Sequence, residues 1–152
     1  MNKSNLKGRN HKKLNIYIDT ENVSGKKADK IMHIIKSQYG TCDKIYMYSL
    51  QNDQGPKAWR DYINANPNLK KKCIDKRLFG NPDRDKVDKK MIKDMASCIS
   101  QNTSDVIVLV SSDHGFSTIA NEAQVSGHRF VGLGNQKSSK KLMRACDEFH
   151  RV

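Results

Sequence analysis

A chain of 152 residues suits a single domain, because a globule of that size buries roughly two-thirds of its unfolded surface around one core. With 28 Lys plus Arg against 16 Asp plus Glu, the formal charge of +12 favours a polyanion, nucleic acid first, as the partner. Cys42, Cys73, Cys98 and Cys146 are widely spaced, with no Cys-x-x-Cys pair and no His at zinc-ligand spacing, which argues against a zinc module or a disulfide scaffold; no window is long and apolar enough to span a membrane.

Residues 1–13 are polar and basic (Lys3, Lys7, Arg9, Lys12, Lys13) and lack the apolar stretch of a secretion signal. They read as a flexible basic arm on a cytoplasmic protein whose folded domain covers 14–152. Ile16, Tyr17 and Ile18 make a β-rich run over 14–19, closed by the polar turn Thr20-Glu21-Asn22. Ala28, Ile31, Met32, Ile35 and Tyr39 then recur at helical spacing over 26–39, and Gly40 supplies the stop. A second strand is expected over 44–50, then a helix over 57–64 that carries Trp59, Tyr62 and Ile63 and is ended by Pro67. The Lys and Arg content of the third strand, over 71–78, suits a sheet edge, where charge discourages pairing with other chains. Gly80-Asn81-Pro82-Asp83 reads as a turn.

A helix is expected over 87–100, and the wholly apolar run 106–110 has the character of a buried parallel strand. Residues 116–126 suit a further helix stopped by Gly127, 129–133 a fifth strand, and 140–149 a closing helix. Strands alternating with helices indicate an α/β fold: a mostly parallel five-stranded sheet with helices on both faces, joined by right-handed crossovers.

In an open α/β sheet, ligands bind beyond the carboxyl ends of the strands, where the strand order reverses. With the order 3-2-1-4-5, Asp19 at the end of the first strand and Asp113 three residues past Val110 face one another at that switch point. Asp88 joins them because it lies one turn ahead of the apolar stripe Met91, Ile92, Met95, Cys98 and Ile99, although capping its own helix would explain it as well. Asp94 falls about 100° from the centre of that stripe and belongs at the margin. Clustered carboxylates repel unless a cation sits among them, and hard oxygen donors favour Mg²⁺ or Mn²⁺. An acidic hole in a basic surface suits a phosphodiesterase, in which a metal-activated water attacks in line.

Asn22 either contacts a metal-bound water or phosphate, or closes an Asx-turn. Ser111 and Ser112 are placed to donate to Asp113 or to phosphate. His114 has no orienting partner and reads as a bystander. Trp59 and Tyr62 could stack on bases, but their helical spacing assigns them to the core.

Ile16-Tyr17-Ile18-Asp19-Thr20-Glu21-Asn22 resembles the opening motif of NYN domains, a branch of the PIN-like nucleases, in which an apolar strand closes on Asp-x-x-Asn. Val87-Asp88 with Asp94, the block from Val108 to Phe116, the segment Gly127–Leu133 and the closing block from Leu142 to Phe149 are similar to the family's later motifs, in the same order. The resemblance covers about residues 14–150. It implies a PIN-like three-layer sandwich and a metal-dependent nuclease, most often an endoribonuclease of single-stranded RNA, with Asp19, Asp88 and Asp113 as metal ligands and Asn22 as a catalytic partner. A homodimer is compatible with it.

Gly115 departs from the pattern, standing where the family has the second Asp of Asp-x-Asp-Phe. The departure leaves three outcomes: a one-metal site, a site completed by Glu21, Asp85 or Asp94, or a non-catalytic RNA-binding or regulatory domain. A nucleotide-binding protein or small-molecule phosphatase of doubly wound fold is the remaining rival; the absence of a P-loop, and the position of Gly132-Leu133-Gly134 on the fifth strand, count against it.

Overall fold

The structure, a computed structural model, describes residues 12–51, 55–79 and 85–152. The arm as far as residue 11 and the turn expected at 80–83 lie outside the described residues, and Asp85 is described by its backbone alone.

Six strands form one parallel sheet: β1 (Leu14–Asp19), β2 (Lys44–Leu50), β3 (Cys73–Leu78), β4 (Val106–Val110), β5 (Arg129–Gly134) and β6 (Glu148–Arg151), in the order β3-β2-β1-β4-β5-β6. The order of the first five strands is the expected one, and β3 lies on an edge as its charge suggested. β1 and β4 lie in the middle and are buried on both faces, which is why they read as unbroken apolar runs.

The two-residue period sends alternate side chains of β1 to opposite layers. Leu14, Ile16 and Ile18 pack with Ala28, Ile31 and Ile35 of α1 (Ala28–Tyr39) and with Trp59 and Ile63 of α2 (Lys57–Asn64). Tyr17 faces the other layer. There it meets Val87, Met91 and Met95 of α4 (Asp85–Gln101), with Ile119 and Ala120 of α5 (Ser117–Val125) and Leu142 of α6 (Lys140–Ala145) in the same core. No helix among the described residues is long and apolar enough to cross a membrane.

Three expectations need correction. Pro67 does not merely end α2: it opens a short helix, α3 (Pro67–Lys70), where its missing N–H costs nothing because the first amides of a helix have no intrahelical partner. The helix over 26–39 begins as a 3-10 turn at Gly25–Lys27, with Ser24 as its cap.

The third correction is the expected helix over 140–149, which stops at Ala145. Cys146 turns extended (φ −87°, ψ 153°), and the chain adds β6 as a sixth strand. Asp147 drives this: its N–H donates to the Phe130 carbonyl at 2.9 Å and its carboxylate accepts from the Phe130 N–H at 2.7 Å. Gly132 completes the docking, since a Cβ there would lie 2.5 Å from the Phe149 ring.

Candidate functional site

Asp19 is the last residue of β1 and points to the same face as Tyr17, toward α4. The register pairs Ile18 with Val110, so the residue after β4, Ser111, stands beside Asp19. Asp19 is only 5% exposed. Burial is the main cause that lifts its pKa to about 6, and the nearby charge of Asp113 adds to it. Hydrogen bonds from the backbone N–H groups of Glu21 and Asn22, and from the Ser111 hydroxyl at 3.5 Å, work in the opposite direction without cancelling the burial.

Asp113 caps the 3-10 turn His114–Phe116, accepting from the Gly115 N–H at 3.0 Å, and its own N–H donates to Ser111 Oγ at 3.3 Å. Ser111 therefore links the two carboxylate-bearing strand ends through one hydroxyl. Asp88, in the first turn of α4, hydrogen-bonds the Asp113 side chain, the largest influence holding the Asp113 carboxyl below its usual range. Asp19, Asp88 and Asp113 thus border one another through Asp113.

Asn22 does something the sequence could not show. Its side-chain carbonyl accepts from the Ser112 N–H at 2.7 Å and from Ser111 Oγ at 3.5 Å. It is a strut from the turn after β1 to the turn after β4, and with the carbonyl oxygen engaged, its NH₂ group is the donor it presents. Behind it, Ser112 Oγ accepts from the Asn135 N–H at 2.8 Å and contacts Ser138 Oγ at 3.0 Å. Gly134 permits this packing, since a Cβ there would lie 2.5 Å from Ser138 Oγ and 2.8 Å from the Ser111 carbonyl.

Other polar residues have different duties. Asp94 accepts from Tyr48 Oη (2.7 Å) and pairs with Lys76 (2.7 Å) and Lys90 (3.2 Å), away from the strand ends. Glu21 accepts from the Leu50 N–H at 2.9 Å, tying the turn to β2. His114 is largely exposed, its ring 3.4 Å from Asp113 Oδ1. Trp59 is fully buried and donates to the Val23 carbonyl at 2.8 Å, so it belongs to the core; Tyr62 is half-buried against the same core.

Among the described residues, no three His, Cys, Asp or Glu side chains already surround a common point as metal ligands would. By chemistry the donors are all oxygen, the type a hard divalent cation takes, and one of the carboxylates, Asp19, is destabilised by burial.

Among solved structures, the chain is similar to a protein of unknown function from Vibrio parahaemolyticus, with a TM-score of 0.69 and 18% identity over 95% of each chain. That likeness concerns the fold alone. A nicotinic acid mononucleotide adenylyltransferase from Plasmodium falciparum, complexed with NaAD, is a looser likeness: TM-score 0.47, 11% identity, 93% of this chain and 75% of the other. It carries no argument about function. No curated protein matches the chain. The family model described as the NYN domain matches residues 13–152, essentially the whole chain. With the expected strand order and with Asp19, Asp88 and Asp113 gathered at the strand ends, this chain belongs to the NYN domain family and carries its nuclease-like PIN fold.

Proposed function

We propose that this protein is a metal-dependent nuclease, an endoribonuclease of single-stranded RNA, working at the carboxyl ends of β1 and β4. The observation that carries the reading is Asp19: a carboxylate 5% exposed, lifted to about 6, beside a second carboxylate that is hydrogen-bonded to a third. A fold tolerates such a cost where function needs it.

Asp19, Asp88 and Asp113 would hold Mg²⁺ or Mn²⁺. The bound ion supplies a more acidic water and a counter-charge for the phosphorane. Asn22 presents its NH₂ to a phosphate oxygen, and its tie to Ser112 keeps that donor at the strand ends. Ser111 fixes the spacing of Asp19 and Asp113 through its single hydroxyl. The chain's formal charge of +12 draws the polyanion toward it in spite of the local carboxylates.

Gly115 favours a second reading, a non-catalytic RNA-binding domain, because the family's additional aspartate is missing there. Labelled single-stranded RNA, single-stranded DNA and duplexes, each incubated with Mn²⁺, Mg²⁺ or EDTA, decide between the two. The nuclease cleaves single-stranded RNA with metal and not with EDTA; binding without cleavage under every condition supports the second reading.

A further inference from the structure

A cavity of about 600 Å³ opens at the other end of the sheet, between α1, the loop before β2 and the segment from α2 to β3. That volume lies within the roughly 300–1,000 Å³ typical of small-molecule sites. Cys42, two residues before β2, and Lys72, the residue before β3, line it, so it lies at the amino ends of these strands. The carboxylates lie beyond the carboxyl ends, about 20 Å away by the rise of a six-residue strand.

The lining has two characters. Met32, Ile35 and Leu69 make an apolar floor, and the half-buried ring of Tyr62 stands among them. Lys36 and Lys71 stand exposed on the rim. Lys72 is turned to the Cys42 carbonyl at 2.8 Å, and Asn66 donates to the Tyr62 carbonyl at 2.6 Å. Asn68 is exposed on the same lip. Asp29 is the only carboxylate in the lining, 3.5 Å from Tyr62 Oη.

An apolar floor with an aromatic ring, amides and a cationic rim suits a ligand with an aromatic ring at one end and an anionic group at the other. We propose that this cavity binds one nucleotide unit, its base on the floor against Tyr62 and its phosphate between Lys36 and Lys71. The same chemistry is offered by a free mononucleotide and by one unit of a single strand. The site is separate from the carboxylates and does not depend on the nuclease reading.

The test uses the full chain with ¹³C-methyl-labelled methionine, in EDTA. Met32 lies in the cavity floor and is assigned by Met32→Leu, while Met47, Met91 and Met95 of the two cores serve as internal references. AMP, an RNA tetranucleotide and inorganic phosphate are titrated separately. A saturable shift of Met32 with AMP supports the site and a free nucleotide as its occupant. A shift with the tetranucleotide alone supports it with a strand as the occupant. The double variant Lys36→Glu/Lys71→Glu should weaken binding at least tenfold, about 1.4 kcal/mol, since it puts two anions where the phosphate meets two cations. Lys93→Glu/Lys141→Glu, with the same net charge, should change affinity less than about threefold.

The proposal is overturned if neither nucleotide ligand moves Met32, if phosphate alone moves it as far as AMP does, or if both double variants lose affinity equally. Cleavage failing in the nuclease assay would leave each of these readouts intact.

Discussion

The most informative single substitution is Asp19→Asn, because it should make the metal-free protein more stable. Asp19 has a folded pKa of about 6 against 3.8 for the free side chain. Between those two values the folded state holds the proton more tightly than the unfolded chain, so stability falls as pH rises through that window. Above it, the charged side chain costs the fold about 3 kcal/mol, at about 1.4 kcal/mol per pKa unit. Asparagine keeps one oxygen for the amides of Glu21 and Asn22 but replaces the other, so the net gain at pH 7.5 should be about 1–3 kcal/mol. For a domain of this size, at about 2–4 °C per kcal/mol, that is a rise in melting temperature of about 2–12 °C. Thermal melts across pH 3.5–8 in EDTA measure it: the advantage should be full above pH 6 and gone below about pH 4. Adding Mn²⁺ at pH 7.5 should raise the wild-type melt and leave the variant unchanged. A variant less stable than wild type at pH 7.5, or an advantage that persists at pH 3.5, would refute the burial account of Asp19.

Asp94→Asn should lower the melting temperature by weakening the cluster with Tyr48, Lys76 and Lys90, at a cost of about 1–2 kcal/mol, and leave cleavage at the wild-type rate. The Asp94 carboxyl is held low by these donors, so this stability is present at neutral pH and is lost as acid protonates it; a melt series in acid checks the sign. Gly115 has no positive φ, and a Cβ there would meet the Asp113 carboxyl at ordinary contact distance (Oδ1 3.6 Å, Cγ 3.9 Å), so Gly115→Ala should be near neutral in melts. Gly115→Asp should tighten Mn²⁺ binding in calorimetric titration by adding a carboxylate beside Asp113. Gly134→Ala should push Ser138 and Ser112 apart, release the Asn22 strut and lower kcat more than tenfold, on the order of the loss expected from misplacing a catalytic group by about 1 Å. Steady-state kinetics on a labelled RNA reads that loss.

The elements that sequence periodicity defined best were those with a plain period and a clear break. The strand over 44–50 and the helix over 57–64 have the expected limits, because Gly40 and the Gln51–Pro56 segment punctuate them. The end of the chain was misread for a physical reason. Leu142, Ala145, Cys146 and Phe149 do recur at helical spacing, but Asp147 pairs with Phe130 and Gly132 leaves room for the Phe149 ring, so tertiary contacts override the local pattern. Gly132 inside an apolar strand was the available signal that another backbone or ring approaches there.

The candidate site was legible wherever one element determined it. Strand ends placed Asp19 and Asp113, and the helical stripe placed Asp88 on the same side. Asp94 lies about 100° around that helix, and only the register of β3 shows it meeting Lys76. The Asn22–Ser112 strut joins turns about 90 residues apart in sequence and has no local signature. Ser111, between two carboxylate-bearing strand ends, likewise becomes meaningful only once β1 and β4 are neighbours.

The central claim is that Asp19, Asp88 and Asp113 together hold the ion a nuclease needs; Asp113 links the three, since its charge acts on Asp19 and its carboxyl meets Asp88. The direct measurement compares wild type with Asp113→Asn in Mn²⁺-dependent cleavage of a labelled single-stranded RNA, with the product ends identified. The account predicts cleavage by wild type, products with 5′-phosphates from direct attack of water, and a loss of at least a hundredfold in the variant, as when a principal charge is removed from a catalytic site. Full activity in Asp113→Asn, or products with 2′,3′-cyclic phosphates formed equally well in EDTA, would contradict it.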